Sequence, residues 1–331
     1  MEEGEIFRVL GLLLWLVRAR VVNGVLFGCA VNKEQQSSMD NRRYDYLPSI
    51  KQKPIKWPNG ATLAFWIGPN IEYFHIDKPI RGSGSTHVPD VQGYSLRDYG
   101  ARVGVYRLME VLDKHGMRAS VLLNADVCKY HPRIIEEGNR RKWEWLGHGE
   151  TNSRDMSGYQ ESEERQVIHE IKETITKTTG KPPKGWLGPG LIETFNTPDH
   201  LAAEGFEYVC DWACDDQPTP MRVKAGRMIV VPYEQGINDM RVFVRANFTP
   251  EQYYRMVCDQ FDTLYQESKT SGKVMALPLH PFVIGLPFRI KYLDKALDYI
   301  CSHEGVWKTT GGEIADWYYS HYYENPGNYE G

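Results

Sequence analysis

From residue 60 onward, short apolar runs alternate with segments whose apolar positions recur every three to four residues. The runs at 61–67, 119–123, 143–146, 185–187, 208–210, 228–232, 274–279 and 306–307 read as strands, the first closed by Gly68-Pro69. Between them the period lengthens. Ser95-Leu96-Arg97-Asp98 has the form of a capping box, and Ala101, Val105, Leu108, Met109 and Leu112 make the stripe of the helix it opens, up to Gly116. A short helix begins near Pro132, and a longer one capped by Ser162 carries Ile168, Ile171 and Ile175 before Gly180. Residues 198–204, 286–302 and 312–319 read as further helices. Thr249-Pro250-Glu251-Gln252 combines a cap, a first-turn proline and a glutamine three residues on. A long loop rich in Gly, Pro and Ser separates the first strand from the first helix.

Strands that alternate with helices predict a mostly parallel sheet. No GxGxxG or phosphate loop follows the first strand, which counts against a nucleotide-binding sheet and favours a closed or nearly closed barrel. A barrel of this kind presents its chemistry at the C-terminal ends of its strands. Two histidines stand at such ends, His148 in Gly147-His148-Gly149 and His280 in Leu279-His280-Pro281. They are expected to face one cleft.

The 331 residues suit one barrel domain over 39–331. Residues 1–38 are set apart as an extension outside the fold: the apolar stretch at 6–31 is broken by Arg8, Arg18 and Arg20 and preceded by Glu2, Glu3 and Glu5. That pattern makes neither a clean membrane span nor a standard secretory signal, so the expectation is a cytoplasmic protein without stable membrane insertion. Export is the alternative if residues 1–31 act as a signal. A net charge of -4 gives no reason to expect a nucleic-acid partner. The six cysteines form no CxxC pair and read as scattered thiols.

The order of short motifs resembles the NodB-like polysaccharide deacetylases over about residues 57–320. The likeness is carried by strand-end His148, the turn from Gly185 to Gly190, Asp211-Trp212 and Leu279-His280-Pro281. Trp57-Pro58-Asn59-Gly60, Asn70-Ile71-Glu72 and Gly285-Leu286-Pro287-Phe288-Arg289 are similar to the metal-independent allantoinase and peptidoglycan deacetylase-like branch. The resemblance implies a deformed (β/α) barrel, hydrolysis of a non-peptide carbon–nitrogen amide bond, and a homo-oligomer. The chain departs from the deacetylases where they carry an Asp-Asp pair, a second histidine four residues after the first, and a third-motif arginine. Here those places hold Asn70-Ile71-Glu72, Asn152 and Trp186-Leu187-Gly188-Pro189-Gly190.

Amide hydrolysis needs an activated water, a stabilised oxyanion and an acid for the leaving nitrogen. With a divalent metal, zinc or cobalt, the ligands would be His148, Glu72 and Asn152. Without one, Glu72 is the base, raised toward neutrality in a dry aromatic cleft, and His280 is the acid or holds the oxyanion. Asp211 resembles the family's histidine-orienting aspartate. Asn70, Trp186, Trp212 and Phe282 are expected to line the substrate cleft, with Glu150 as a second choice of base. Asp215-Asp216 reads as a solvated turn, and the eight other histidines as partnerless surface residues. The expected partner is a carbohydrate or small-molecule substrate: an N-acetyl group on a sugar, or a small amide or ureide. A barrel that has lost catalysis and only binds carbohydrate or a metabolite is the alternative.

Overall fold

The computed structural model describes residues 41–324, and those from Arg42 onward form one compact unit. The extension read into residues 1–38 lies outside the described residues, as does the cysteine at position 29. Nine strands form one curled sheet: β1 (Leu63–Ile71), β2 (Ser120–Leu123), β3 (Glu144–Gly147), β4 (Gly185–Trp186), β5 (Tyr208–Val209), β6 (Thr219–Met221), β7 (Met228–Val230), β8 (Lys273–Leu279) and β9 (Val306–Lys308). Their order is β6-β7-β5-β4-β3-β2-β1-β8, with β9 beside β1. Every pairing is parallel except that of β6 with β7. All nine residues of β1 and all seven of β8 are buried, as expected of parallel strands covered on both faces.

The strand absent from the sequence reading is β6, whose three residues include Pro220. The first strand also runs farther than its Gly68-Pro69 stop signal allows. Gly68 and Pro69 pair with Pro278 and Leu279 of β8, and Asn70 and Ile71 with Leu122 and Leu123 of β2. Pairing on both sides overrides the local turn preference. The result carries Glu72 to the same level as the ends of β2, β3 and β8, where Asn124, His148 and His280 follow.

The first helix starts earlier than Ser95. It spans Val91–Tyr99, capped by Asp90, whose side chain accepts from Gly93 N at 2.8 Å. Ser95 Oγ instead donates to Gln92 O. The helix then loosens into a π-helical stretch, Gly100–Gly104, before resuming as Val105–Lys114. Both glycines serve close approach: a Cβ on Gly100 would lie 2.6 Å from Phe282, and one on Gly104 would lie 2.1 Å from Pro281 O. The helix therefore packs directly on the segment that follows His280. The Thr249 capping box opens Pro250–Ser268 as read, whereas Gln160, not Ser162, caps Glu161–Thr179.

Among the described residues no helix is long and apolar enough to cross a membrane. The five described cysteines are unpaired, two buried, two half-buried and Cys214 exposed.

Candidate active site

The parallel sheet brings Glu72, His148 and His280 together. His148 Nε2 lies 3.5 Å and His280 Nε2 3.7 Å from the same oxygen, Glu72 Oε1. The three side chains are almost fully buried, at 6% exposure for Glu72, 2% for His148 and 9% for His280. The histidines, expected at strand ends facing one cleft, are interior groups.

His148 is held by its neighbours' smallness. A Cβ at Gly147 would meet the Trp186 ring at 2.5 Å, and one at Gly149, where φ is +69°, would meet Pro189 at 2.5 Å. The glycines thus serve tight packing and a left-handed turn rather than an open cleft. His148 Nδ1 is 2.6 Å from Leu187 O. A carbonyl only accepts, so Nδ1 carries the proton and Nε2, which has no other hydrogen-bond partner, turns to Glu72. His280 is fixed by Asp239, which accepts from His280 Nδ1 at 2.6 Å and from its backbone N at 2.8 Å.

Charge follows from this packing. Burial pushes the Glu72 carboxyl up, but His148, His280 and Arg97 together outweigh it and hold Glu72 below its ordinary value. This reverses the expectation of a raised Glu72. Burial pushes His280 down, yet Asp239 and Glu72 prevail against it and against Arg97, keeping the imidazole above its ordinary value. Arg97 is buried between the rings of Phe74 and Phe282, 5.2 and 4.8 Å from their centroids.

Asn152, expected as a metal ligand, is turned the wrong way for that role. Its Oδ1 accepts from Asn124 Nδ2 at 3.1 Å, and its Nδ2 donates to Glu72 Oε1 at 2.5 Å. An amide nitrogen offers no lone pair to a cation, and the carboxylate requires a donor here. Among the described residues, no group of three or more His, Cys, Asp or Glu is placed to hold a metal ion. The donor set therefore does not fit the zinc or cobalt site of the metal-dependent reading.

The other expected residues divide. Phe282 walls His280, with ring centroids 5.6 Å apart. Asn70 is tied into the sheet, donating to Tyr233 OH at 2.9 Å and Leu279 O at 3.2 Å. Trp186 is fully buried against Phe206 and Gly147, a core residue rather than a cleft wall. Trp212 donates to Glu193 at 2.9 Å and packs on Tyr44. Asp211 does not orient an imidazole: it accepts from Gly188 N at 2.8 Å, and the histidine-orienting carboxylate is Asp239. Glu150 is exposed. Asp215 and Asp216 form a turn engaged by Gln52 and Lys273. Several histidines read as partnerless have carboxylate partners, among them His75 with Asp126, His115 with Asp294 and His169 with Glu204.

Sequence reasoning missed Asp239, Asn124 and Arg97. Asn124 was findable, since it directly follows β2 as Glu72 follows β1. Asp239 stands at the N-cap of the π-helical stretch Met240–Arg245, and nothing local marks it. A cavity of about 1330 Å³ lies to one side; Tyr44, Gln52, Asp216, Tyr233 and Tyr322 line it, and Glu72, His148 and His280 do not.

The polysaccharide deacetylase family profile matches residues 94–209. A probable polysaccharide deacetylase from Pseudomonas aeruginosa has a similar structure, with a TM-score of 0.73 and 28% identity over 81% of this chain and 94% of that one. The chain is thus similar to the polysaccharide deacetylases over residues 94–209 and in its fold. Its likeness extends to the Puue allantoinase, with a TM-score of 0.74 and 26% identity over 84% of this chain and 99% of that one. The peptidoglycan deacetylase of Helicobacter pylori is 24% identical over 258 residues, 66% of this chain and 84% of that protein. The curled α/β sheet is the deformed barrel of these structures.

Proposed function

We propose that the chain hydrolyses a non-peptide carbon–nitrogen amide bond, in an N-acetylated sugar or a small amide or ureide, without a metal ion. One observation carries this reading: two imidazole Nε2 atoms converge on a single buried carboxylate oxygen, with Asp239 behind one of them. Glu72, ionised throughout the neutral range, accepts the proton of the attacking water. Its depressed pKa makes it a modest base. His280, kept cationic by Asp239 and Glu72, supplies the proton to the departing nitrogen. Asn152 holds Glu72 in place through its amide nitrogen, and Phe74 and Phe282 exclude water from the His280 side.

Support for a small substrate comes from the near-complete enclosure of the three side chains and from the likeness to an allantoinase. Support for a sugar amide comes from the likeness to deacetylases. The test is turnover of N-acetylated chito-oligosaccharides and of cyclic ureides by protein dialysed against chelator, beside Glu72→Gln and His280→Ala. Turnover that survives the chelator and is lost in both variants is expected. Activity that appears only on adding a divalent metal would overturn the metal-free chemistry. Saturable binding with no turnover of any amide, with or without metal, would make the chain a binding barrel.

A further inference from the structure

A substrate cannot reach side chains as enclosed as Glu72, His148 and His280 unless a covering segment moves. The chain that follows Glu72 is such a cover. Residues 73–90 link β1 to the first helix without helix or strand. The start of this strap is tied to the loop after β3. Tyr73 O accepts from Thr151 Oγ1 at 2.8 Å and from Asn152 N at 2.9 Å, and His75 N donates to Ser153 Oγ at 2.9 Å. Its end is tied by Asp90, the cap of the first helix. Between these ties, Arg81 pairs with Asp155 of the same β3 loop and donates to Pro189 O, after β4, at 3.4 Å. The Arg81 carbonyl accepts from Arg97 Nη2 at 2.9 Å. A Cβ on Gly82 would lie 3.4 Å from Met240, which adjoins Asp239. From β1 the strap thus meets the segments that follow β3, β4 and β7, around the mouth that holds the cluster.

Little holds the middle of the strap down. From residue 75 to 89 only Ile80 is buried, at 2% exposure, and a Cβ on Gly84 would meet no atom within 4 Å. Two other walls of the site are locked. Residues 281–284 are buried throughout and press on Gly100 and Gly104 too closely to admit a methyl group. The His148 turn is packed as tightly against Trp186 and Pro189. A segment with one buried side chain opens at lower cost than close-packed walls.

We propose that residues 76–84 form a lid over the Glu72 cluster, latched by the Arg81–Asp155 ion pair and the Ile80 side chain, which lifts to admit substrate. Its bearing on turnover rests on the reaction proposed above. Opening withdraws Ile80 and breaks the contacts of Arg81 with Asp155, Pro189 and Arg97, while Tyr73 and Asp90 keep both ends in place. Closing restores the enclosed surroundings of Glu72 and His280.

The experiment reads access to the histidines and needs no substrate. Wild-type protein, Arg81→Gln and Asp155→Asn are treated with diethyl pyrocarbonate. Modification of His148 and His280 is timed by peptide mass spectrometry, beside backbone hydrogen exchange. Asp155→Asn keeps a side-chain oxygen for the Ser157 amide that Asp155 caps. In the wild-type protein both histidines are expected to react far more slowly than exposed His87. In both variants they react about fivefold faster, the change expected on losing a partly exposed ion pair. Exchange quickens in residues 76–84 and is unchanged in β1 and β8. Wild-type reaction as fast as that of His87, or equal rates in wild type and both variants, would overturn the lid. So would faster reaction accompanied by lost protection in β1 and β8, the mark of general loosening. The two readings fail separately. Faster access in the variants without turnover of any amide leaves the lid standing and removes the proposed reaction. Turnover dependent on Glu72 and His280, with access unchanged in both variants, does the reverse.

Discussion

Asp239 holds His280 at two points, with one carboxylate oxygen 2.6 Å from Nδ1 and the other 2.8 Å from the backbone nitrogen of the same residue. The bidentate grip fixes both the ring orientation and the tautomer and leaves Nε2 facing Glu72. Asp239→Asn exchanges the charge for an amide of the same shape. The expected result is a fall in kcat/KM by about 10²-fold or more, of the order contributed by a positioned general acid. The alkaline limb of the pH profile, which reports loss of the His280 proton, moves to lower pH because the charge that raises this imidazole is gone. A profile that keeps its alkaline limb in Asp239→Asn would show that His280 is not the acid.

Glu72→Gln keeps shape and removes the carboxylate on which both imidazoles converge. Turnover is expected to fall by about 10²–10⁴-fold, while His280 becomes less basic because one of the groups raising it is lost. Steady-state kinetics together with an NMR titration of the His280 ring check both effects. Unchanged kinetics would move the base to His148.

The depressed Glu72 pKa also has a stability consequence. A carboxyl that is more acidic folded than unfolded stabilises the fold above its unfolded value, near 4.5, and the contribution is lost as pH falls through the lower folded pKa. Urea unfolding below pH 5 is therefore expected to show a steeper acid decline in the wild-type protein than in Glu72→Gln. His280 acts in the opposite sense: its contribution is full below about 6.5 and fades as pH rises through the raised folded value. Parallel curves for wild type and Glu72→Gln across the acid range would contradict the assigned charge.

Gly149→Ala is expected to damage the site without touching a charged group. The residue sits at φ +69°, and an added methyl would lie 2.5 Å from Pro189. Left-handed strain and the clash together predict a loss of about 1–3 kcal/mol and a displaced His148. Thermal melts and kcat/KM measure the two effects. A variant with wild-type melting and turnover would mean that this loop has slack which its packing does not suggest.

The alternation of apolar runs and helical stripes made the parallel sheet legible, because strands buried on both faces must be apolar throughout. Strand-end logic then picked out Glu72, His148 and His280. It stopped where a contact depends on distant chain segments. Asp239 meets His280 across 41 residues, from the start of the π-helical stretch Met240–Arg245. Asp211, which sits where the family motif would suggest that partner, reaches His148 only through a peptide bond. The sign of the Glu72 shift was unreadable for a similar reason. Burial alone predicts a raised carboxyl, and only the two imidazoles and Arg97 beside it decide otherwise.

The sheet runs from β6 to β8 and does not close. Such a seam would ordinarily present two ladders of free amides and carbonyls on which another polypeptide could extend. Here the exposed template is blunted from within. Val274 N donates to Asp216 O and Lys273 O accepts from the Trp57 indole, so loops occupy the start of the β8 ladder. Pro278 and Pro220 remove one amide from each edge strand. The barrel can thus stay open along one side without seeding strand-by-strand aggregation.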